Sequence, residues 1–242
     1  MGKSSGARPG PAAPTQQAHA AFAGLLTLAA RGPYRLPNDR SFVRSASRFV
    51  VEVSRRRAIE DVASDLFRAN GYAATSVRDI ARALDLQGPS LYAHVTSKED
   101  VLWAIVDRAA ARFETAADLA KGPGGDPASR LAALVRAHVG VIVADAGAAG
   151  VFVHEWRALG DDRRAAILAR RDAYERRFRA VIEDGMATGA FAMTDAGLAA
   201  TAILSMLNGI PGWFDPAGRL GPDRIADHFA DFALRLVQGA DR

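Results

Sequence analysis

Cysteine is absent from this 242-residue chain. Its absence excludes disulfide scaffolds, thiolate zinc sites, iron–sulfur clusters and cysteine nucleophiles. Aromatic residues are few, at 7%. The longest strongly apolar stretch, about Ala18 to Ala30, falls short of the roughly 20 residues that span a bilayer, so no membrane partner is expected. Gly-rich phosphate loops, nucleophile elbows and a His-Glu-x-x-His pair are missing too. His138, His154, Glu155 and the pair His228 and Asp231 are the only groups from which a catalytic or metal site can be assembled. His228 and Asp231 share a helix face, but no third ligand follows at metal spacing. The expectation is no catalytic residue, no metal, no cofactor and no enzyme.

What is present is ordinary in proportion and uneven in distribution. Apolar residues make up 49% and charged residues 24%, the balance of a folded globular protein. The first 57 residues carry ten basic side chains against two acidic ones, a charge of +8, and the remaining 185 carry −4. A basic arm ahead of a mildly acidic body points to an anionic partner, nucleic acid first. The opening residues are Gly, Pro, Ser and Ala with almost no large apolar side chain, so residues 1–53 are predicted to be a disordered basic extension.

From Ser54 the pattern is helical throughout, with no period-2 strand and no internal repeat. Ile59, Val62, Ala63, Leu66 and Phe67 form one apolar face, and Asn70-Gly71 stops it. Ser76-Val-Arg-Asp79 has the form of a capping box. A short helix follows, with Val77, Ile80, Ala81 and Leu84 inward. After a break at Asp85-Leu-Gln-Gly88, Pro89 suits the first turn of a third helix. A fourth, longer helix opens near Ser97. Beyond Gly122-Pro-Gly-Gly125, five more are predicted at about 127–145, 148–159, 161–188, 194–209 and 222–238. Three helices of about 16, 9 and 7 residues, with a tight turn between the last two, make a helix-turn-helix unit. Its small polar residues around Gln87-Gly-Pro-Ser90 let the third helix come close to DNA. The predicted class is therefore all-α: a helix-turn-helix head at 54–100 and a helical body at 101–242.

The residues also resemble the TetR family of bacterial transcriptional repressors. The likeness rests on Ala58-Ile-Glu-Asp-Val-Ala-Ser-Asp-Leu-Phe67, Asn70-Gly-Tyr72, Thr75-Ser-Val-Arg-Asp-Ile-Ala81, Leu91-Tyr92, His94-Val95 and Ser97-Lys-Glu99. It departs at Asp85, where the family usually has Gly, and at Val95, where it has an aromatic. Asp tolerates the left-handed conformation such a turn needs. The resemblance implies phosphate contacts from Tyr92 and Lys98. Thr75, Ser76 and Arg78 sit at the start of the second helix, whose dipole end suits a phosphate. Gln87, Gly88, Ser90 and Ala93 are expected to face base edges. His94 is expected at the backbone or against Tyr92. Arg55 and Arg57, with Arg56, form an arm toward phosphates or the minor groove.

The body is expected to hold an effector and to dimerise. Phe152, Trp156, Phe178 and Trp213 are candidates to line an apolar cavity, with Arg157, Arg170 or Arg171 as the cation for a carboxylate or phosphate. The stretch Val151 to Leu159 resembles actinobacterial regulators of lipid breakdown that answer to acyl-CoA esters. Leu198, Ile203 and Met206, with Phe229, Phe232 and Leu236, are expected to pair with a second copy, as the family's last two helices do. The implied protein is a cytoplasmic homodimer on a palindromic double-stranded operator, released by a small-molecule effector, apolar or acyl-CoA-like. The alternative is an architectural DNA-binding protein without a ligand, which a solid body core would favour.

Overall fold

In a computed structural model, residues 40–86, 88–120, 124–192 and 194–238 are described, with side chains described from Arg55 onward and not at residues 88 and 89. The chain divides into units of residues 1–50 and 51–242. Of the first unit only residues 40–50 lie in the described range, and they are helical. The disorder expected over 1–53 is thus not found at residues 40–53, which are helical; the rest of that extension lies outside the described residues.

The described residues form nine α-helices and no strand. Helix α1, Arg40–Asn70, begins well before Ser54, because no Gly or Pro interrupts the sequence from Arg40 to Asn70. It stops where expected: Gly71 takes φ +82° and returns its N–H to the Phe67 carbonyl at 2.8 Å. The box at the start of α2, Val77–Ala83, is complete. Asp79 N–H donates to Ser76 Oγ, and Ser76 N–H donates to Asp79 Oδ2 at 2.9 Å. The Ser76 hydroxyl and N–H bonds hold the Asp79 carboxyl below its usual range. Asp85 adopts φ +54°, as the missing glycine requires, and α3 follows at Gly88–Tyr92. Ile59, Phe67, Ile80, Leu91 and Val95 are buried in this region, with Leu66, Val77 and Leu84 partly so.

Helix α4, Lys98–Ala120, runs on into the body. It packs against α5 (Pro127–Ala144), α6 (Ala146–His154) and α7 (Asp161–Ala187). Helices α8 (Ala196–Asn208) and α9 (Pro222–Gln238) complete the bundle. Asp126, Asp145 and Asp195 cap α5, α6 and α8 by accepting a backbone N–H. Helix α5 is apolar and long enough to cross a membrane; a search for uninterrupted apolar runs passes over it because Arg130 and Arg136 lie within. Those two pair with Asp184 and Asp227, and Leu131, Leu134, Val135, Val139 and Ile142 are core. Ala230 and Ala233 on α9 are buried, small enough for α9 to lie close along α5. At the end of α7, Gly185 makes room for Phe191, since a Cβ there would come within 2.0 Å of that ring.

A charged seam joins α4 to α7. Arg163 donates to Asp100 at 2.6 Å, Arg170 to Asp107 at 2.6 Å, and Arg177 to Asp118 at 2.9 Å. The three arginines recur every seven residues, the repeat that keeps one helix face on its neighbour.

Candidate nucleic-acid interface and effector cavity

The head presents its polar residues unevenly. Arg78 on α2 and Ser90 on α3 are exposed, as is Ser76 at the α2 cap. Tyr92 is 57% exposed, far more than a packing aromatic needs. Ala93 is exposed and His94 half-buried. Arg55 is exposed. Arg57 pairs with Asp61 at 3.1 Å across one turn of α1. Gln87 lies outside the described residues, and Gly88 opens α3.

Two residues of the expected set turn inward. Thr75 is only 2% exposed. Its hydroxyl donates to the Gly71 carbonyl at 2.9 Å and lies 3.4 Å from that of Leu66. It ties the end of α1 to the loop and presents no side chain to a phosphate. The Lys98 ammonium donates to the Tyr72 and Thr75 carbonyls, both at 2.9 Å, and lies 4.1 Å from the Tyr72 ring centroid. An ammonium has three donors; here two hold the loop and the charge rests on an aromatic face. Lys98 is thus a brace between the α1–α2 loop and the start of α4.

The head meets the body where glycines of α6 let side chains of α1 come close. Gly147 and Gly150 of α6 lie against α1: a Cβ on Gly147 would sit 3.2 Å from Asp65 Oδ1, and one on Gly150 would sit 3.8 Å from Arg68. Arg108 of α4 pairs with Glu60 and Asp61 of α1. Burial, then repulsion from Arg57, lowers the Arg108 guanidinium to about 10.

A cavity of about 330 Å³ opens in the body between α4, α6, α7 and α8. Phe152, Trp156, Arg157 and Arg170 line it as expected, joined by Phe113 and His138. Phe178 does not; it is fully buried behind Tyr174 and His138, at ring distances of 5.6 and 6.4 Å. Trp213 does not either. It is 54% exposed and stacks on Phe229 at 6.1 Å. Arg170 is already neutralised by a two-pronged bond to Glu114, at 2.7 and 2.8 Å, and by Asp107. Arg171 is the better cation for a ligand: it lines the cavity and lies 5.3 Å from the Trp156 ring, which Arg157 also covers at 4.7 Å. Burial, then repulsion from Arg157, lowers the Arg171 pKa.

His138 is the residue that periodicity could not separate from ordinary core. It is 3% exposed, stacked near Phe113 at 4.6 Å, with Nδ1 3.1 Å from the Tyr174 hydroxyl. Burial, then the charge of Arg171, drives its pKa down to about 3, so the ring is neutral. Of the residues expected to pair with a second copy, Leu198 is 64% and Phe232 49% exposed. Met206, Phe229 and Leu236 are half-buried. Ile203 is fully buried within the chain, because the face of α8 that it shares with Ala199, Ala200 and Leu207 is the inner one. It is core, not interface.

Comparison with known proteins agrees with this arrangement. Residues 59–105 match the family described as bacterial regulatory proteins, tetR family, and residues 124–237 match the tetracyclin repressor-like C-terminal domain. The HTH-type transcriptional repressor KstR2 of Rhodococcus jostii is 27% identical over 186 residues, covering 74% of this chain and 89% of that protein. A tetR-family regulatory protein from Rhodococcus RHA1 is 32% identical, with a TM-score of 0.70 over 77% of this chain and 98% of its own. AibR, solved with isovaleryl coenzyme A and operator DNA, is 27% identical, with a TM-score of 0.66 over 76% of this chain and 98% of its own. With its helix-turn-helix head, its all-helical body and these relatives, the chain belongs to the TetR family of bacterial transcriptional regulators.

Proposed function

We propose that this protein is a dimeric repressor that reads a palindromic operator and is released when an apolar acid, free or as its coenzyme A thioester, enters the cavity of the body. The observation that carries the DNA reading is the pairing of a capped, exposed α2 start with a short α3 whose Ser90 and Tyr92 face solvent. Arg78, Ser76 and Tyr92 then meet phosphates, with Arg55 and Arg57 on the arm. Gly88 and Ser90, with Gln87, approach base edges. His94 lies beside them. The outward Leu198, Met206, Phe229, Phe232 and Leu236 form the dimer face, extended by Trp213. An apolar face of this kind is costly to leave in water, and two heads must sit about one DNA turn apart.

The acid reading rests on the two arginines that lie over the Trp156 ring at the cavity. AibR, a relative of similar fold, binds an acyl coenzyme A and an operator. Release is a shift between two populations. Two walls of the cavity, α4 and α6, also touch α1 through Arg108 and through Gly147 and Gly150. A ligand that fits only one setting of α4 and α6 therefore biases the head, and bound DNA weakens the ligand by the same factor.

The test is a titration by fluorescence anisotropy onto the DNA flanking the protein's own gene, at two salt concentrations, beside scrambled DNA. Sequence-selective binding that weakens steeply with salt supports the reading. Binding equal to that of scrambled DNA at every site tried counts against it.

A further inference from the structure

The cavity holds two buried nitrogens that nothing among the described residues satisfies. Trp156, 7% exposed, has no partner for its indole Nε1, and His138, 3% exposed, has none for Nε2. Both rings line the cavity. Buried polar groups are nearly always paired in folded proteins, and an unpaired one is destabilising. Two in one cavity, each on a ring packed among aromatic side chains, mark a place where a ligand supplies the partners. The indole nitrogen can only donate, so it asks for an acceptor.

The rest of the cavity is apolar at this end. Phe113, Phe152 and Tyr174 surround His138, with Phe113 to Phe152 at 5.3 Å and His138 to Tyr174 at 5.7 Å. The His138 and Tyr174 bond fixes the imidazole and leaves Nε2 as the second polar atom. The cations, Arg157 and Arg171, lie over the Trp156 ring. The pocket therefore joins two cations at the Trp156 ring to an unmet demand for hydrogen bonds among its aromatics.

We infer that the effector is not a plain alkyl or aryl acid but one whose apolar body carries an oxygen acceptor, received by Trp156 Nε1–H, with His138 Nε2 as the adjoining polar contact. The inference rests on the acid reading above and specifies it. An unsubstituted chain brings no acceptor to the indole N–H; an oxygen-bearing one supplies it. Discrimination follows from that difference, since sites built to hydrogen-bond a substrate oxygen reject analogues that lack it.

The probes are decanoic acid and the five decanoic acids with a single ketone at carbon 5, 6, 7, 8 or 9. Binding to the full-length protein is measured by calorimetry. At least one oxo acid is expected to bind about tenfold tighter than decanoic acid, the scale of one hydrogen bond made to a buried unpaired group. In Trp156→Phe, which keeps an aromatic ring and loses the N–H, the ratio between the two acids falls toward one. The same ratio is reduced in His138→Asn. A second readout needs no cavity variant. In the 15N spectrum the three indole signals are assigned with Trp103→Phe and Trp213→Phe, and that of Trp156 moves downfield with the favoured oxo acid and not with decanoic acid. Equal affinity for all six acids, with the Trp156 signal unmoved, overturns this inference and leaves the acid reading standing. Failure of all six to bind, both as free acids and as their coenzyme A thioesters, overturns the acid reading and this inference together.

Discussion

Lys98 and Arg78 carry like charges in one small head, yet they are set up for different tasks. Lys98 spends its ammonium on the Tyr72 and Thr75 carbonyls; Arg78 points to solvent. Lys98→Met is therefore expected to act through stability. Two carbonyls lose their partner, at about 1–3 kcal/mol for each buried group left unpaired, so thermal unfolding shifts down and DNA affinity falls, with the salt slope of binding unchanged. Arg78→Ala does the reverse: Tm holds while the slope of log K against log salt drops by about 1.8, the share of one phosphate contact from each of two protomers. Anisotropy titrations at several salt concentrations, beside melting curves, separate the two. His138 gives a pH test. Its pKa is about 3 in the folded chain and near 6.5 in an unfolded one. The unfolded state thus takes up a proton that the folded state refuses as pH falls from about 6.5 toward 3. Stability contributed by the neutral ring is present above pH 6.5 and drains away below it, by up to about 1.4 kcal/mol per pH unit. Denaturant unfolding of His138→Asn between pH 7 and 5 is expected to show a shallower loss than the parent, whatever its absolute stability.

Among the helices, the end of α7 is the place where one atom matters most. A methyl at Gly185 collides with Phe191, and Phe191 also donates its N–H to the Gly185 carbonyl, so the ring cannot easily withdraw. Gly185→Ala is expected to lower stability by about 1–3 kcal/mol, read as a Tm loss of several degrees; an unchanged Tm contradicts the packing described. Most element boundaries were legible in the sequence, for local reasons. Asn70-Gly71 and the Ser76 box are stop and start signals carried by backbone chemistry, and they act where they stand. The upstream reach of α1 to Arg40 was not legible, because a stretch with neither breaker nor strong periodicity gives no boundary to read. Site residues divide in the same way. Ser90 and Tyr92 were readable as surface, since three- and four-residue spacing sets Leu91 inward and its neighbours outward. Thr75 and Lys98 were not, because their partners are carbonyls of a loop up to 26 residues away. Phe178, Ile203 and Trp213 were misplaced for one shared reason: an apolar residue on a helix can face core, cavity or partner, and only packing decides. His138 needed the structure to show both its burial and its bond to Tyr174.

For the molecule as a whole, the claims join at the α8 and α9 surface and at α4. Leu198 and Phe232 stand in water in a single chain, and covering them with a second copy also gives the head its two-fold reading geometry. Phe232→Glu, with Leu198→Glu as its independent counterpart, is expected to shift sedimentation from twice the chain mass to 25.6 kDa and to weaken operator binding by more than tenfold, with the salt slope roughly halved. The seam of Arg163, Arg170 and Arg177 ties α4 to α7; in the proposed release mechanism it would carry movement at the cavity to the start of α4, where Lys98 holds the head.

The most direct test of the account is selection of binding sites from a random DNA pool by the full-length protein, followed by sequencing. The account predicts enrichment of an inverted repeat with half-site centres about 10 base pairs apart or a multiple of that, lost in Phe232→Glu. Enrichment of a lone asymmetric site, or of no sequence at all, contradicts it.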